Sequence, residues 1–183
     1  MFTRQPIYRG PSEIMLMNPL DFKSHVTGPG IDKEVHWLVE FYTLWHPSCV
    51  AIEPVMAELS LKYATPGLRF GKLDVSRYPQ IAEDLGISLT GTSRQLPTLV
   101  MFKGGKELAR IPHVYEGGKV AKGVFRRKAI EDGFDLKAFS ELTKDHVPRE
   151  VRVEKSRVGS TKFEGTAPRE MVDRGKAESK KDQ

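Results

Sequence analysis

Residues 37–63 read WLVEFYTLWHPSCVAIEPVMAELSLKY, and the architecture of the chain turns on how this stretch divides. Its opening part, Trp37–Thr43, sets Leu38 and Val39 beside the aromatic residues Phe41 and Tyr42, the composition of a strand. From about Cys49 to Tyr63, the apolar residues Ile52, Val55, Met56, Leu59 and Tyr63 recur at i, i+3, i+4, i+7 and i+11, one face of an α-helix. Pro54 falls inside that helix and is expected to kink it, because proline offers no amide hydrogen to the preceding turn. The residues between, Trp45-His46-Pro47-Ser48-Cys49, therefore lie where a strand ends and a helix begins. A thiol at the positive end of a helix is biased towards its thiolate.

Outward from this junction, strands and helices alternate. Leu68–Val75 reads as a strand, and Pro79–Leu85 as a short helix opened by proline and closed by Gly86. Thr98–Phe102 is a strongly apolar strand, and Lys103-Gly104-Gly105-Lys106 turns it into another, Glu107–Ile111. The order from Trp37 is β–α–β–α–β–β, which predicts an α/β fold with a mixed sheet and not a bundle. Upstream, Glu13–Met17 fits a short strand and Leu20–His25 a short helix. Downstream, a last helix is expected to start near Asp135 as its N-cap, with Leu136, Phe139 and Leu142 facing inward. Three regions follow: an N-terminal segment 1–33, a folded domain 34–146, and a charged tail 147–183 that lacks apolar periodicity and is expected to be disordered.

Composition closes several alternatives. The formal net charge is +5, yet lysine and arginine are interspersed with aspartate and glutamate almost everywhere. A basic stripe interleaved with aromatics is missing, so no nucleic-acid partner is expected. Cys49 is the single cysteine, which excludes an intramolecular disulfide and a disulfide-stapled scaffold. No charged-then-apolar leader is visible in residues 1–19, and runs such as Leu99–Phe102 are far too short to cross a bilayer. The chain as written is expected to be soluble, with any membrane attachment through a segment it does not contain. His46-x-x-Cys49 supplies at most two metal ligands and has no second pair, so neither metal nor cofactor is expected.

Trp45-His46-Pro47-Ser48-Cys49 resembles the active site of the thioredoxin superfamily, Trp-Cys-x-x-Cys, with His46 standing at the first cysteine position. Glu40 matches the buried acid upstream, Pro54 the proline of the active-site helix, and Lys72 the lysine neighbouring that acid. Gly86-Ile87 precedes the substrate loop, Leu96-Pro97-Thr98 matches the cis-proline signature, and Lys103-Gly104-Gly105 the closing hairpin. Within the superfamily the chain is similar to the branch of thioredoxin-related transmembrane protein 2, whose members also lack the first active-site cysteine. The lengthened segment Ser88–Arg94 before the proline fits that branch, as do Leu59–Tyr63 and Gln95–Leu99. So does the C-terminal Lys180-Lys181-Asp182-Gln183.

The resemblance implies roles residue by residue. Cys49 stands at the position of the resolving cysteine; with no partner sulfur it can neither form nor release an internal disulfide. It is a small core residue of the helix start, or else a monothiol that forms mixed disulfides or is oxidised. His46, if protonated, favours a nearby thiolate. Glu40 and Lys72 form a supporting pair, read as a structural polar contact. Trp45, Leu96 and Pro97 border the groove where an extended polypeptide pairs with the backbone before the cis proline, and Ser88–Arg94 is expected to reshape or cover it.

The functional expectation is a redox-linked regulatory or interaction module at the endoplasmic reticulum membrane, on its cytosolic side, binding partner polypeptides and contributing to redox homeostasis. Its rivals are a monothiol protein disulfide isomerase or reductase that borrows an external thiol, and a redox-inert adaptor. Expected partners are client polypeptides, a second copy disulfide-linked through Cys49, and coat proteins reading Lys180 and Lys181.

Overall fold

A computed structural model describes residues 8–147. Five strands form one mixed sheet in the order β1-β3-β2-β4-β5: β1 (Ile14–Met17), β2 (His36–Tyr42), β3 (Leu68–Asp74), β4 (Thr98–Lys103) and β5 (Lys106–Ile111). The first three run parallel to one another, while β4 lies antiparallel to β2 and β5 antiparallel to β4. This is the α/β fold with a mixed sheet that the element order predicts, and the thioredoxin-like fold that the resemblance implies.

The central strand explains its own composition. All seven residues of β2 are buried, because it has neighbours on both edges and helices on both faces. Alternate residues feed two separate cores. Trp37, Val39 and Phe41 join Val100, Phe102 and Leu73 on one face, where Phe22 meets the Phe41 and Phe102 rings edge-on at 5.6 Å. Leu38 joins Leu68, Phe70, Leu99 and Met101 on the other, against α2 (Pro47–Tyr63).

Caps and turns fix the element ends. Asn18 accepts from the amides of Leu20 and Asp21, and Asp21 accepts in return from the Asn18 amide, a reciprocal capping box that starts α1 (Pro19–Phe22). A π-turn over Lys23–Thr27 continues the expected helix and ends at Gly28, where a Cβ would stand 2.3 Å from the Lys23 carbonyl. The β4–β5 hairpin turns on Gly104 and Gly105, both at positive φ. The helix α2 runs on past Pro54 as one element to Tyr63, and α3 (Pro79–Asp84) begins on a proline.

Two features differ from expectation. A helix, α4 (Arg127–Gly133), precedes the last one; its charged start and single deep apolar residue, Ile130, gave no periodic stripe, yet Ile130 and Phe134 complete the α2-side core. The last helix, α5 (Leu136–Thr143), does begin after Asp135, but that residue is left-handed (φ 49°) and its side chain makes no cap. Leu136 is buried and Phe139 packs partly inward, whereas Leu142 is 76% exposed. Thr143 takes the inward place instead, bonded to Thr65.

The expected tail and its lysines Lys180 and Lys181 lie outside the described residues. Among the described residues, no helix is long and apolar enough to cross a membrane.

Candidate functional site

The chain leaves β2 at Tyr42, passes Thr43, Leu44 and Trp45, and enters α2 through His46, whose extended backbone (φ −90°, ψ 120°) places it as N-cap. Pro47 then suits the first helical turn. The His46 side chain forms no capping hydrogen bond, and its Nδ1 is buried without a partner. The Cys49 amide donates to the His46 carbonyl at 3.0 Å, which tucks the cysteine under the first turn. Trp45, 49% exposed, stands edge-on to the His46 ring at 5.7 Å.

Cys49 is a free thiol that is only 1% exposed. Burial pushes its pKa up to about 11; the Thr43 backbone and hydroxyl pull the other way, and the carboxyls of Glu40 and Asp74 add to the rise. Burial is the largest of these causes and decides the direction. The thiolate bias expected from the helix N-terminus is therefore outweighed, and at neutral pH the sulfur is protonated and shielded. A disulfide to a second copy requires this side chain to come out.

The supporting pair is rearranged. Glu40 and Lys72 are register partners across β2 and β3, but the Lys72 ammonium pairs with Glu53 at 3.4 Å. Glu40, 1% exposed, has an Oε1 with no hydrogen bond. Burial raises its pKa to about 8, with Lys72 opposing the rise and Glu53 adding to it, so the carboxyl is mostly protonated at neutral pH. The expected Glu40–Lys72 contact is thus a Glu53–Lys72 ion pair beside a neutral acid. Glu53 escaped the sequence reading. Its signal was an acid at an inward helical position, one turn after Cys49 and three residues before Met56. Its other oxygen accepts from the Tyr8 amide at 2.9 Å, tying the N-terminal segment to α2.

Leu96 and Pro97 lie across from His46 at the start of β4. The Leu96–Pro97 bond is cis, as the signature implied; Ile111–Pro112 is cis as well. Both residues are buried, Leu96 to 2% exposure, so neither offers the open rim expected of it. What remains open is a cleft of about 540 Å³ with Leu96 at its floor. His46 and Ser48 line one side, Ser93 and Arg94 another, and Lys122 with Phe125 a third.

The lengthened segment before the proline is held in shape by Gln95, a second residue whose role the sequence reading missed. Its buried side-chain oxygen accepts from the Ser88 amide, and its amide group donates to the Gly86 carbonyl at 3.2 Å. Inside this staple, the Ser93 amide donates to the Thr90 carbonyl at 2.9 Å. The segment thus walls the cleft without closing it.

Among the described residues, no group of three or more His, Cys, Asp or Glu side chains is placed to hold a metal ion. Cys49 also lacks a second thiol, so the internal dithiol cycle has no second sulfur here.

The thioredoxin family model matches residues 13–126. The "Thioredoxin-related transmembrane protein 2 homolog" of Drosophila melanogaster is 41% identical over 150 residues, 81% of this chain and 53% of that protein. "Thioredoxin-related transmembrane protein 2" of Xenopus tropicalis is 35% identical over 144 residues, 79% of this chain and 49% of the relative. The chain thus spans about half the length of these curated relatives. Among solved structures, thioredoxin NaTrxh from Nicotiana alata superposes with a TM-score of 0.50 at 22% identity, over 69% of this chain and 94% of that one. The sheet order, the β2–α2 junction carrying Cys49, the cis Leu96–Pro97 bond and the family match over residues 13–126 agree: this chain belongs to the thioredoxin family.

Proposed function

We propose that this chain is a polypeptide-binding module that keeps the thioredoxin framework and works by recognition, not by thiol exchange. The observation that carries the reading is an open cleft above a sealed sulfur: about 540 Å³ of accessible groove at the former catalytic end, with Cys49 1% exposed beneath it. Exchange needs a thiolate that reaches its target, and burial and a raised pKa both oppose that. Recognition needs a concave surface with polar and apolar groups converging on it, and His46, Ser48, Arg94 and Phe125 supply these. Of the expected functions, this is nearest the adaptor. A response to oxidation through Cys49 would require the start of α2 to open first.

The same proposal places the module at the endoplasmic reticulum membrane, facing the cytosol. The transmembrane names of the relatives support the membrane. The lysines Lys180 and Lys181, of the kind read by coat proteins, support the compartment and the side.

The test uses the full chain and a labelled, unfolded α-lactalbumin whose cysteines are blocked with iodoacetamide. Cys49→Ser should leave its binding unchanged, while Ser48→Trp, which sets a large ring at the cleft, should weaken it about tenfold or more. Capture of α-lactalbumin that keeps its disulfides, lost on reducing and alkylating the probe and with Cys49→Ser but surviving Ser48→Trp, would overturn the proposal in favour of thiol chemistry.

A further inference from the structure

The cleft above Cys49 does not end at Arg94. It continues into a second one of about 560 Å³, and the two share Ser93 and Arg94. One wall of the combined groove is the stapled segment 86–96. The facing wall is the stretch 118–125, which supplies Lys119 to the second cleft and Lys122 to the first. Arg94, Lys119 and Lys122 are exposed, and among the described residues no carboxylate lines either cleft. Glu116, three residues before Lys119, lines neither.

These cations are also unspent. Some exposed bases find acids, Lys62 with Glu131 and Arg127 with Glu58, whereas others, such as Lys33, Lys106 and Lys128, form no ion pair among the described residues either. Arg94, Lys119 and Lys122 form no ion pair among the described residues. The N-terminus of the seventeen-residue helix α2, at His46 and Ser48, opens on the same cleft and adds positive potential. A chain whose signs are mixed almost everywhere thus carries one sign along this groove among the described residues.

Resting on the reading of this groove as a polypeptide site, we propose that it selects acidic segments. The carboxylates of an extended partner would face Arg94, Lys119 and Lys122, and an apolar side chain would sit against Phe125 over Leu96. Charge of this kind steers and discriminates partners more than it adds raw affinity. The placement also favours a peptide over a lipid surface. The cations stand on the facing walls of a groove a few residues wide, whereas a bilayer needs them on a protruding face.

The experiment measures fluorescence anisotropy of labelled dodecapeptides that alternate leucine with glutamate, glutamine or lysine, titrated with the full chain. The glutamate peptide should bind about tenfold tighter than the glutamine peptide, and the lysine peptide weakest. The advantage should shrink as salt rises from about 0.05 to about 0.3 M. The doubly substituted Arg94→Glu, Lys122→Glu protein should invert the order, while Lys106→Glu, at the start of β5 and outside both clefts, should preserve it. Equal affinity for the glutamate and glutamine peptides would overturn the charge inference and leave the polypeptide site standing. Failure of all three peptides and of the unfolded probe above would overturn the site itself. Phosphatidylserine vesicles outcompeting the glutamate peptide in an Arg94- and Lys122-dependent way would replace the peptide with a membrane.

Discussion

Replacing Glu40 with glutamine tests the electrostatics at the centre of the sheet. Glu40 sits in mid-strand on β2, opposite Lys72 of β3 and Leu99 of β4, and is 1% exposed. Its pKa stands at about 8 instead of an ordinary 4.5, chiefly because burial penalises the carboxylate. A folded-state pKa above the unfolded value means that the native protein holds the proton longer. Stability from this group is therefore complete below about pH 4.5 and lost as pH rises towards 8. Between those limits the loss is about 1.4 kcal/mol per pH unit, amounting to ~3 kcal/mol by neutral pH. Glutamine cannot ionise, so the variant should lack this slope. It carries instead a pH-independent cost of ~1–2 kcal/mol for a buried amide with incomplete hydrogen bonding. His36 complicates the raw curves: burial lowers its pKa, so its contribution is complete above about 6.5 and is lost in acid. That term is common to both proteins and cancels in their difference. Urea denaturation of wild type and Glu40→Gln at intervals from about pH 4.5 to about pH 8 should therefore give a difference that moves steadily in favour of the variant. A flat difference would show that Glu40 is already ionised in the folded protein, and the account of a neutral acid beside a Glu53–Lys72 pair would be wrong.

Two further predictions concern the thiol and the α5 contact. At about pH 8, native Cys49 should react with a disulfide reagent at least about a hundredfold more slowly than the same cysteine in denaturant, because it is both shielded and protonated. Stopped-flow absorbance reads this directly, and comparable rates would refute the burial argument. Gly67→Ala should destabilise the fold by ~1–3 kcal/mol, since the new Cβ would stand 2.7 Å from the Thr143 Cβ and 2.9 Å from that of His146. An unchanged melting temperature would mean that α5 is not docked on the 65–68 turn.

Sequence patterns alone reached the α/β order, the strand–helix junction at residues 45–49, and the lost first cysteine. Each rests on short-range spacing: the i, i+3, i+4 stripe from Ile52 to Tyr63, the apolar run of β4, and glycines at the β4–β5 turn. The last of these, a residue that is not there, needs no structure to be seen. What sequence could not weigh was competition between terms whose sizes depend on burial. A helix N-terminus favours the Cys49 thiolate from any sequence standpoint, but the sulfur's depth, which decides the contest, is a product of how the first turn of α2 seats on the sheet. The partner of Lys72 was likewise ambiguous. Register brings Glu40 opposite it, yet Glu53 arrives from α2, and only helix-on-sheet docking determines which carboxylate the ammonium reaches. The helix α4 lacked a stripe because a single residue, Ile130, does most of its burying. The basic groove comes from cations near residues 94 and 119–122, about twenty-five positions apart in a chain of evenly mixed charge. Their convergence exists only once Gln95 staples one wall and the 118–125 stretch folds back as the other, because charge proximity through space leaves no periodicity in sequence.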